Sequence, residues 1–235
     1  MMSSFFRFAT LCGLATTALC AITPAMSLDS RDVARRSLSG QATFYGGNVK
    51  GGACSFSTYT VPSGLYGTAI SDSNWDNAGN CGGCVAVTYG GKTITAMIVD
   101  ECPGCGTNHL DLFPDAFASL ADKTKGVIDL SWDFVPCSVI TSPLQIHMKS
   151  GVSQYWFSAQ VVNGKRRTSK IDVSIDQGKT WKSTQRQTYN FYEISSGAGA
   201  ATAWIRATSH TGSTVTIKDV SMTGDAVATA TANYA

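Results

Sequence analysis

Charged side chains are scarce in this chain of 235 residues, because Asp, Glu, Lys and Arg together make up only 14% of it. A helical bundle is rich in Ala, Leu, Glu and Lys, whereas this chain contains 23 glycines and many serines and threonines. Its 43% of hydrophobic residues are enough for a buried core, which excludes wholesale disorder. The composition therefore favours a β-rich secreted protein.

A long basic run is also missing, although the charges are unevenly distributed along the chain. Residues 37–140 contain 4 lysines and 9 acidic residues, whereas residues 141–235 contain 10 basic and 5 acidic residues. The two parts therefore have net charges of −5 and +5, which cancel. A segment of net charge +5 without a long basic run gives only a weak signal for phosphate binding, so we do not expect a nucleic-acid partner.

The sequence lacks an apolar run that is long enough to span a bilayer. One apolar stretch starts after a basic residue, Arg7, and ends near Cys20, where small residues follow. This arrangement is typical of a secretory signal peptide. The dibasic pair Arg35-Arg36 then indicates a processing site at the end of a propeptide. We therefore predict a secreted, extracellular protein that is a monomer and has no membrane partner.

Cysteine is absent after residue 137. Outside the predicted leader there are six cysteines, which include two C-x2-C pairs separated by 17 residues. In a cytosolic protein this spacing would indicate a zinc ribbon. Because secreted proteins fold in an oxidising compartment and the number is even, we predict three disulfides and no metal site. Fifteen pairings are open to these six residues, which are Cys54, Cys81, Cys84, Cys102, Cys105 and Cys137.

Composition divides the chain into four segments. All six cysteines precede Ser142-Pro143, a turn signal that marks a domain boundary. The predicted segments are a signal peptide (residues 1–21), a propeptide that ends at the dibasic site (22–36), a first domain (37–142) and a second domain (143–235).

Local patterns in both domains predict strands. In the first domain, Val85–Tyr89 and Thr93–Val99 predict two strands, and Gly90-Gly91 predicts the hairpin turn between them. Pro114 begins a short segment that predicts the first turn of a helix. The second domain contains regularly spaced β-like runs, which are typical of an immunoglobulin-like sandwich. Its last residues, 226–235, are small, and we expect them to fray.

One predicted strand, Tyr155–Val162, has a functional implication. Successive side chains of a strand point to opposite faces, so Trp156 shares one face with Ser158 and Gln160, while the other face is apolar. Trp156 is therefore predicted on a solvent-facing surface, where its flat ring would stack on a sugar ring. The alternative is that Trp156 covers a sheet edge or packs at the domain interface.

Motifs in both domains carry a family resemblance. The first domain contains Gly40-Gln-Ala-Thr43-Phe-Tyr45-Gly46, Cys81-Gly-Gly-Cys84, Val99-Asp100-Glu-Cys102-Pro-Gly-Cys105 and His109-Leu-Asp111-Leu-Phe-Pro-Asp-Ala-Phe117. It resembles the first domain of expansin-like proteins, in particular the microbial two-domain type and the fungal loosenins. The second half resembles the expansin carbohydrate-binding domain at Lys149-Ser-Gly151, Tyr155-Trp156 and Tyr189-Asn190. The resemblance covers about residues 40–225.

The resemblance implies both a fold and a function. The fold is all-β, with a six-stranded double-psi β-barrel followed by an immunoglobulin-like β-sandwich. The function is to loosen plant cell wall networks of cellulose and matrix glycans without hydrolysing them. The implied partner is an insoluble polysaccharide, either cellulose or one of xyloglucan, pectin and chitin. No metal or organic cofactor is implied, and no nucleic-acid partner is expected.

The resemblance also implies functional residues in both domains. A polar groove is formed by Thr43, Asp100 and Asp111, of which Asp111 matches the single Asp that expansin activity requires. The predicted substrate-binding residues are Tyr45, Trp75, Lys149, Tyr155, Trp156 and Tyr189. Relatives that contain disulfides imply the pairs Cys54–Cys81 and Cys84–Cys137, which leaves Cys102–Cys105 as the third.

The same barrel fold serves family-45 endoglucanases, so hydrolysis is a second hypothesis. An inverting glycosidase needs a general acid and a general base whose carboxyl groups are about 6.5–9.5 Å apart. Asp111 is a candidate acid, but no carboxylate lies between Gly40 and Asp72, where the first strand would supply the base. Asp100 is the remaining candidate for the base, and it equally fits a structural role at the Pro103-Gly104 turn.

Two further alternatives stay open. A single Asp can act as acid and base in turn, so a lytic transglycosylase that uses Asp111 is another form of the enzyme hypothesis. The third hypothesis is a non-catalytic, wall-bound interaction protein, in which replacing Asp111 would change nothing. The basic second half would favour acidic pectin as its partner, through an attraction that salt weakens.

Overall fold

The computed structural model describes residues 37–235, and the predicted signal peptide and propeptide lie outside the described residues. The first half contains short 3-10 turns at Asp72–Asn74 and Lys123–Lys125. Its longer elements are β1 (Leu38–Phe44), β2 (Tyr66–Ser71), β3 (Cys84–Tyr89), β4 (Lys92–Cys102), β5 (Leu110–Leu112), α1 (Pro114–Leu120) and β6 (Ile128–Val135).

These six strands close into a barrel in the order β1-β5-β2-β4-β3-β6. Strand β1 pairs with β5, and β2 pairs with β4, in parallel, while the other neighbours are antiparallel. The interior is apolar, and Ala42, Ile98 and Leu110 are completely buried in it. The predicted six-stranded double-psi β-barrel is therefore confirmed.

Local sequence accounts for two features of the barrel. Strands β3 and β4 form the predicted hairpin, in which Gly90 and Gly91 have φ angles of 55° and 79°. A tight hairpin turn needs positive φ at both central residues, which glycine adopts without steric cost. Helix α1 begins at Pro114, because the first helical position does not need a backbone N–H donor.

The second half of the described chain is a sandwich of two antiparallel sheets, and the predicted sandwich fold is confirmed. One sheet has the order β10-β9-β13-β14, and the other has the order β11-β12-β8-β7-β15. Their strands are β7 (Gln145–Met148), β8 (Phe157–Val162), β9 (Thr168–Ser174), β10 (Lys182–Ser183), β11 (Gln185–Arg186), β12 (Tyr192–Ile194), β13 (Thr202–Ser209), β14 (Thr214–Ser221) and β15 (Val227–Thr229).

The C-terminal segment is ordered, so the expectation that residues 226–235 fray is wrong. Strand β15 pairs with β7, and the side chain of Tyr234 is only 2% exposed in the sandwich core. The phenol oxygen of Tyr234 also lies 2.9 Å from the hydroxyl of Thr168. One large aromatic residue therefore anchors a segment whose small residues alone would not hold it.

The barrel and the sandwich meet through polar contacts as well as apolar ones. The carbonyl of Cys54 accepts hydrogen bonds from the side-chain amides of Gln160 (3.3 Å) and Asn190 (3.1 Å). Ser158 and Gln160 on β8 are completely buried, so the predicted solvent-facing side of this strand is in part an interface. Residues 37–235 accordingly form one compact unit.

The six predicted disulfide cysteines form three bonds. The pairs are Cys54–Cys81, Cys84–Cys137 and Cys102–Cys105, as the resemblance implies. All three lie in the barrel, so the half without cysteine is held together by noncovalent contacts. Among the described residues, no helix has the length and apolar character needed to cross a membrane.

Candidate functional site

A chain of hydrogen bonds lies where β1 and β5 run side by side. The parallel register places Thr43 opposite Asp111, and the Thr43 hydroxyl donates to Asp111 Oδ1 over 2.6 Å. His109 Nε2 lies 3.0 Å from the same hydroxyl oxygen. Because the hydroxyl has a single proton, which it gives to Asp111, His109 must donate from Nε2. Two of the predicted groove residues are therefore brought into direct contact.

Asp111 itself is held rigidly by its strand. Its neighbours Leu110 and Leu112 are completely buried, while Asp111 is half-buried and faces the groove. Within residues 37–235, Asp111 Oδ2 makes no hydrogen bond, whereas Oδ1 is bonded to Thr43. This carboxylate therefore has one oxygen fixed by the barrel and one that remains able to accept a hydrogen bond from a bound molecule.

His109 was not among the predicted site residues, although it contacts the Thr43 hydroxyl. Burial lowers the pKa of His109, and the opposing attraction of Asp111 is the smaller effect. Burial therefore favours the neutral imidazole, whose Nε2–H donates to Thr43. The signal available in the sequence was its position two residues before Asp111, and the structure adds its contact with Thr43.

Asp100 joins the groove to the loop that follows β1. Its Oδ1 accepts hydrogen bonds from the backbone N–H groups of Ala53 (2.7 Å) and Glu101 (2.9 Å). Its Oδ2 accepts a hydrogen bond from the Tyr45 hydroxyl over 3.3 Å. Asp100 therefore fastens this loop to the barrel, and these bonds do not involve the Pro103-Gly104 turn.

The same loop approaches Asp100 closely because residue 52 is glycine. A Cβ atom at Gly52 would lie 2.4 Å from the carbonyl oxygen of Asn48 and 3.0 Å from Asp100 Cγ. Real Cβ atoms do not come as close to a backbone oxygen as 2.4 Å. Any larger residue at this position would push the loop away from the groove.

Tyr45 lies between the two acidic groups. Burial raises the pKa of its phenol, and the negative charges of Asp100 and, more weakly, Asp111 raise it further. The phenol therefore stays protonated and donates to Asp100. Its ring also packs edge-on against Phe113, with ring centroids 5.7 Å apart.

The prediction that Trp75 lines the groove is wrong. Its side chain is only 7% exposed and packs in the barrel core. The polar sequence around it had suggested a groove position, but the surrounding polar residues form a 3-10 turn that directs the indole inward. Trp75 therefore offers no ring face for stacking.

A second cluster, which we call the platform, lies on the five-stranded sheet and consists of Lys149, Trp156, Tyr189, Phe191 and Glu193. The Lys149 ammonium lies 4.9 Å from the ring centroid of Tyr189, 5.7 Å from that of Trp156 and 5.8 Å from that of Phe191. Such distances fit cation–π contacts. The structure therefore places two of the predicted substrate-binding residues, Trp156 and Tyr189, around a third, Lys149.

Glu193 and Phe191 are the platform residues that sequence reasoning missed. The Tyr189 hydroxyl donates to Glu193 Oε1 over 2.8 Å, and the Ser158 hydroxyl donates to the same oxygen over 2.9 Å. Burial and the bond to Glu193 raise the pKa of Tyr189 to about 12. The spacing of Tyr189, Phe191 and Glu193 was a detectable signal in the sequence, since residues two apart share a face of an extended segment, although only Glu193 lies within β12.

Tyr155 is placed differently from the other aromatic residues. Its side chain is 75% exposed, and within residues 37–235 no ring contact joins it to Trp156 or Tyr189. It precedes β8, in a turn closed by the bridge between Ser153 and Trp156. Its membership of the binding row stays a prediction.

A cleft connects the groove to the platform. We call it the junction cleft, and it is lined by Lys50, Gly51, Gly52, Ser55, Ser57, His147, Lys149, Ser150, Phe191 and Asp225. Gly52 adjoins Asp100 at one end, and Lys149 belongs to the platform at the other. The groove, the cleft and the platform therefore follow one another along the surface.

Sequence comparisons place the chain among known proteins, although no family model matches it. It is 31% identical to the expansin YoaJ of Bacillus subtilis over 185 residues, which are 75% of each chain. It is 28% and 30% identical to the expansin-like proteins 1 and 3 of Dictyostelium discoideum. The chain spans about half the length of these two relatives, since the matches cover 57% and 49% of them.

A solved structure is similar over most of the chain. It is that of a mutant Clavibacter michiganensis expansin in complex with cellohexaose, with a TM-score of 0.76 and 26% sequence identity. The similarity covers 85% of this chain and 98% of that one. Together with the identity and coverage shared with the Bacillus protein, this establishes that the chain belongs to the expansin family.

Proposed function

We propose that this protein is secreted, binds insoluble cellulose and matrix glycans of plant cell walls, and loosens their networks without hydrolysing them. The observation that carries the proposal is the environment of Asp111. The residue that faces it on β1 is the hydroxyl-bearing Thr43, at the place where a hydrolase of this fold needs a carboxylate.

The platform supports the binding part of this function. Sugar rings have flat faces of C–H groups that stack on aromatic rings, and Trp156 and Tyr189 offer two such rings on one sheet face. Lys149 adds an ammonium that forms no ion pair within residues 37–235 and can donate to glycan hydroxyls. The Clavibacter relative in complex with cellohexaose supports a glucan as the ligand.

The groove supports the loosening part. Asp111 Oδ2 is an acceptor that a glycan hydroxyl can use, while Oδ1 is held by Thr43 and, through Thr43, by His109. A rigid charged acceptor forms stronger hydrogen bonds than a neutral one. A glycan hydroxyl bonded to Asp111 is one that no longer bonds to a neighbouring glycan.

Hydrolysis would need a second proton carrier beside Asp111. Asp100 is the other groove carboxylate, and both of its oxygens already accept hydrogen bonds from the protein. A base must accept a proton from water, and an acceptor committed to backbone N–H groups is poorly suited to that task. Rearrangement of hydrogen bonds needs only one acid, so it fits this groove better than inverting hydrolysis.

The proposal extends to the organisation and location of the protein. The barrel domain comprises residues 37–142 and the sandwich domain residues 143–235, and a signal peptide and propeptide precede them. Three disulfides in the barrel support an extracellular location, because such bonds persist in oxidising compartments.

The experiment compares the mature protein with Asp111→Asn and with Asp129→Asn, which removes an exposed barrel carboxylate that bonds to Gln41. Wall extension under load and the release of reducing sugars are measured on the same cellulose and matrix glycan samples. We expect extension by the wild type and by Asp129→Asn, at least about tenfold less extension by Asp111→Asn, and no sugar release.

Other outcomes would change the assignment. Release of reducing ends or anhydro products that depends on Asp111 would make the protein an endoglucanase or a lytic transglycosylase. Equal extension by all three proteins would remove Asp111 from the mechanism. Binding to the solid without extension by any of them would leave a non-catalytic wall-binding protein.

A further inference from the structure

His147 on β7 is an unusual member of the junction cleft. Its side chain is only 3% exposed, and neither ring nitrogen has a hydrogen-bond partner within the described residues. Gln160 lies directly opposite on β8, and its Oε1 is also buried without a partner. Two adjacent strands therefore place three unsatisfied polar atoms at one point of the barrel–sandwich junction.

Buried polar atoms in native proteins nearly always have a partner, because burying them without one costs free energy. Gln160 uses its amide nitrogen to bond to the Cys54 carbonyl, so its position is fixed by the junction. His147 has no comparable bond that fixes its ring. His147 lines the cleft, but neither nitrogen is exposed, so its ring must turn before it can act as a donor or an acceptor for a group that enters the cleft.

The charges of the cleft indicate what kind of group that is. Lys50 and Lys149 line it, and neither forms an ion pair with any residue of the described chain. Ser55, Ser57 and Ser150 add hydroxyl groups. A set of two ammonium groups and an imidazole, with hydroxyl donors around them, is suited to a carboxylate.

Asp225 is the acidic residue that lines the same cleft. Its side chain is exposed, and a carboxylate at the rim accepts hydrogen bonds from sugar hydroxyls. The cleft thus combines cationic donors for an acid with an acceptor for the hydroxyls of the same sugar.

We infer that the junction cleft is a subsite for a uronic acid residue of a matrix glycan, whose carboxylate contacts Lys50, Lys149 and His147. The inference rests on the proposed function, because the glycan must extend from the groove to the platform for its substituent to reach the cleft. An unsubstituted glucan has no anionic group to place there. The cleft therefore selects acidic matrix glycans over plain cellulose.

The test measures affinity by calorimetry for three oligosaccharides of similar length. Cellohexaose is the neutral ligand, an oligogalacturonate has uronates in its main chain, and a glucuronoxylan fragment has one as a side group. The variant is Lys50→Gln, and the control is Lys218→Gln, which removes the same charge from the ring of Trp204 on the other sheet. The ionic strength is kept constant, since exposed charges are screened by salt.

We expect Lys50→Gln to weaken binding of at least one uronate ligand by about fivefold, and Lys218→Gln to leave that binding unchanged. Affinity for cellohexaose should be the same in all three proteins. The uronate ligand whose binding weakens shows whether the acid lies in the main chain or in a side group of the glycan. Equal losses in both variants would mean non-specific attraction, and absence of tighter uronate binding would equally overturn the inference.

A second measurement follows His147 directly. The chain has only three histidines, His109, His147 and His210, so their imidazole signals are readily assigned by NMR. The His147 signals should shift when the responsive uronate ligand is added and stay in place with cellohexaose. An unchanged His147 signal at saturating uronate would exclude the cleft. Failure of cellohexaose to bind would count against the proposed function instead.

Discussion

The groove of the barrel and the platform of the sandwich are held together by different kinds of contact. The barrel has three disulfides, and its groove residues hold one another through short hydrogen bonds such as that from Thr43 to Asp111. The sandwich has no cysteine, and its platform consists of rings around the charge of Lys149. In the proposed function the groove displaces hydrogen bonds and needs fixed geometry, whereas the platform holds a flat polymer and needs area.

The net charges of the two halves follow the same division. The first half has a net charge of −5 and the second half a net charge of +5, which in the proposed function would suit hydroxyl-binding acceptors in the groove and attraction of the sandwich to acidic glycans. The comparison leads to three predictions, in order of decreasing expected effect.

The largest effect concerns the stability of the barrel. Replacing Cys54 and Cys81 by serine opens a loop with a sequence separation of 27 residues and should lower the free energy of unfolding by about 3.5 kcal/mol. Denaturant unfolding measures this loss. The same replacement of Cys102 and Cys105, which are 3 residues apart, should cost only about 1.6 kcal/mol. Equal losses of unfolding free energy in the two variants would show that the stabilisation does not depend on the length of the closed loop.

The second prediction separates binding from loosening. Trp156→Ala should weaken binding to cellohexaose about tenfold, because it removes a stacking ring. The matched control is Trp204→Ala, since Trp204 is also half-buried with a lysine, Lys218, 4.7 Å from its ring centroid. Trp204→Ala should bind as the wild type does. If the two variants lost affinity equally, the platform would have no special role.

The smallest effect is a pH dependence in the groove. Burial lowers the pKa of His109 below its ordinary value of 6.5, so the unfolded chain takes up this proton more readily than the folded protein. The stability that His109 contributes is therefore complete above pH 6.5 and is lost as the pH falls from there towards the folded pKa.

Denaturant unfolding at a series of pH values measures this loss. In His109→Gln, the part of the pH dependence of the unfolding free energy below pH 6.5 that belongs to His109 should disappear. The amide of Gln keeps a donor for Thr43, so the groove geometry is retained. An unchanged slope would mean that His109 is not protonated differently in the two states.

Short-range patterns in the sequence predict much of this fold. The hairpin of β3 and β4 follows from alternation around Gly90-Gly91, and helix α1 follows from Pro114. The groove residues Thr43 and Asp111 were found through motifs whose order and spacing resemble a family. Their direct contact depends on parallel pairing of β1 and β5, which no local pattern contains.

The failures have a common physical origin in contacts between distant residues. Gln160 was predicted to face water because of strand alternation, but it meets Cys54, which is 106 residues away, and is completely buried. Trp75 was placed in the groove by its polar neighbours, yet the barrel core encloses it. Alternation tells which side chains share a face, but it does not tell what covers that face.

The shared acceptor at the junction has a mechanical consequence. The Cys54 carbonyl accepts hydrogen bonds from the side-chain amides of Gln160 on β8 and of Asn190, which precedes β12. The Cys54–Cys81 disulfide ties the loop that contains Cys54 to the barrel. If a polymer stacks on the platform as proposed, tension on it is therefore transmitted to the barrel through a short, cross-linked path.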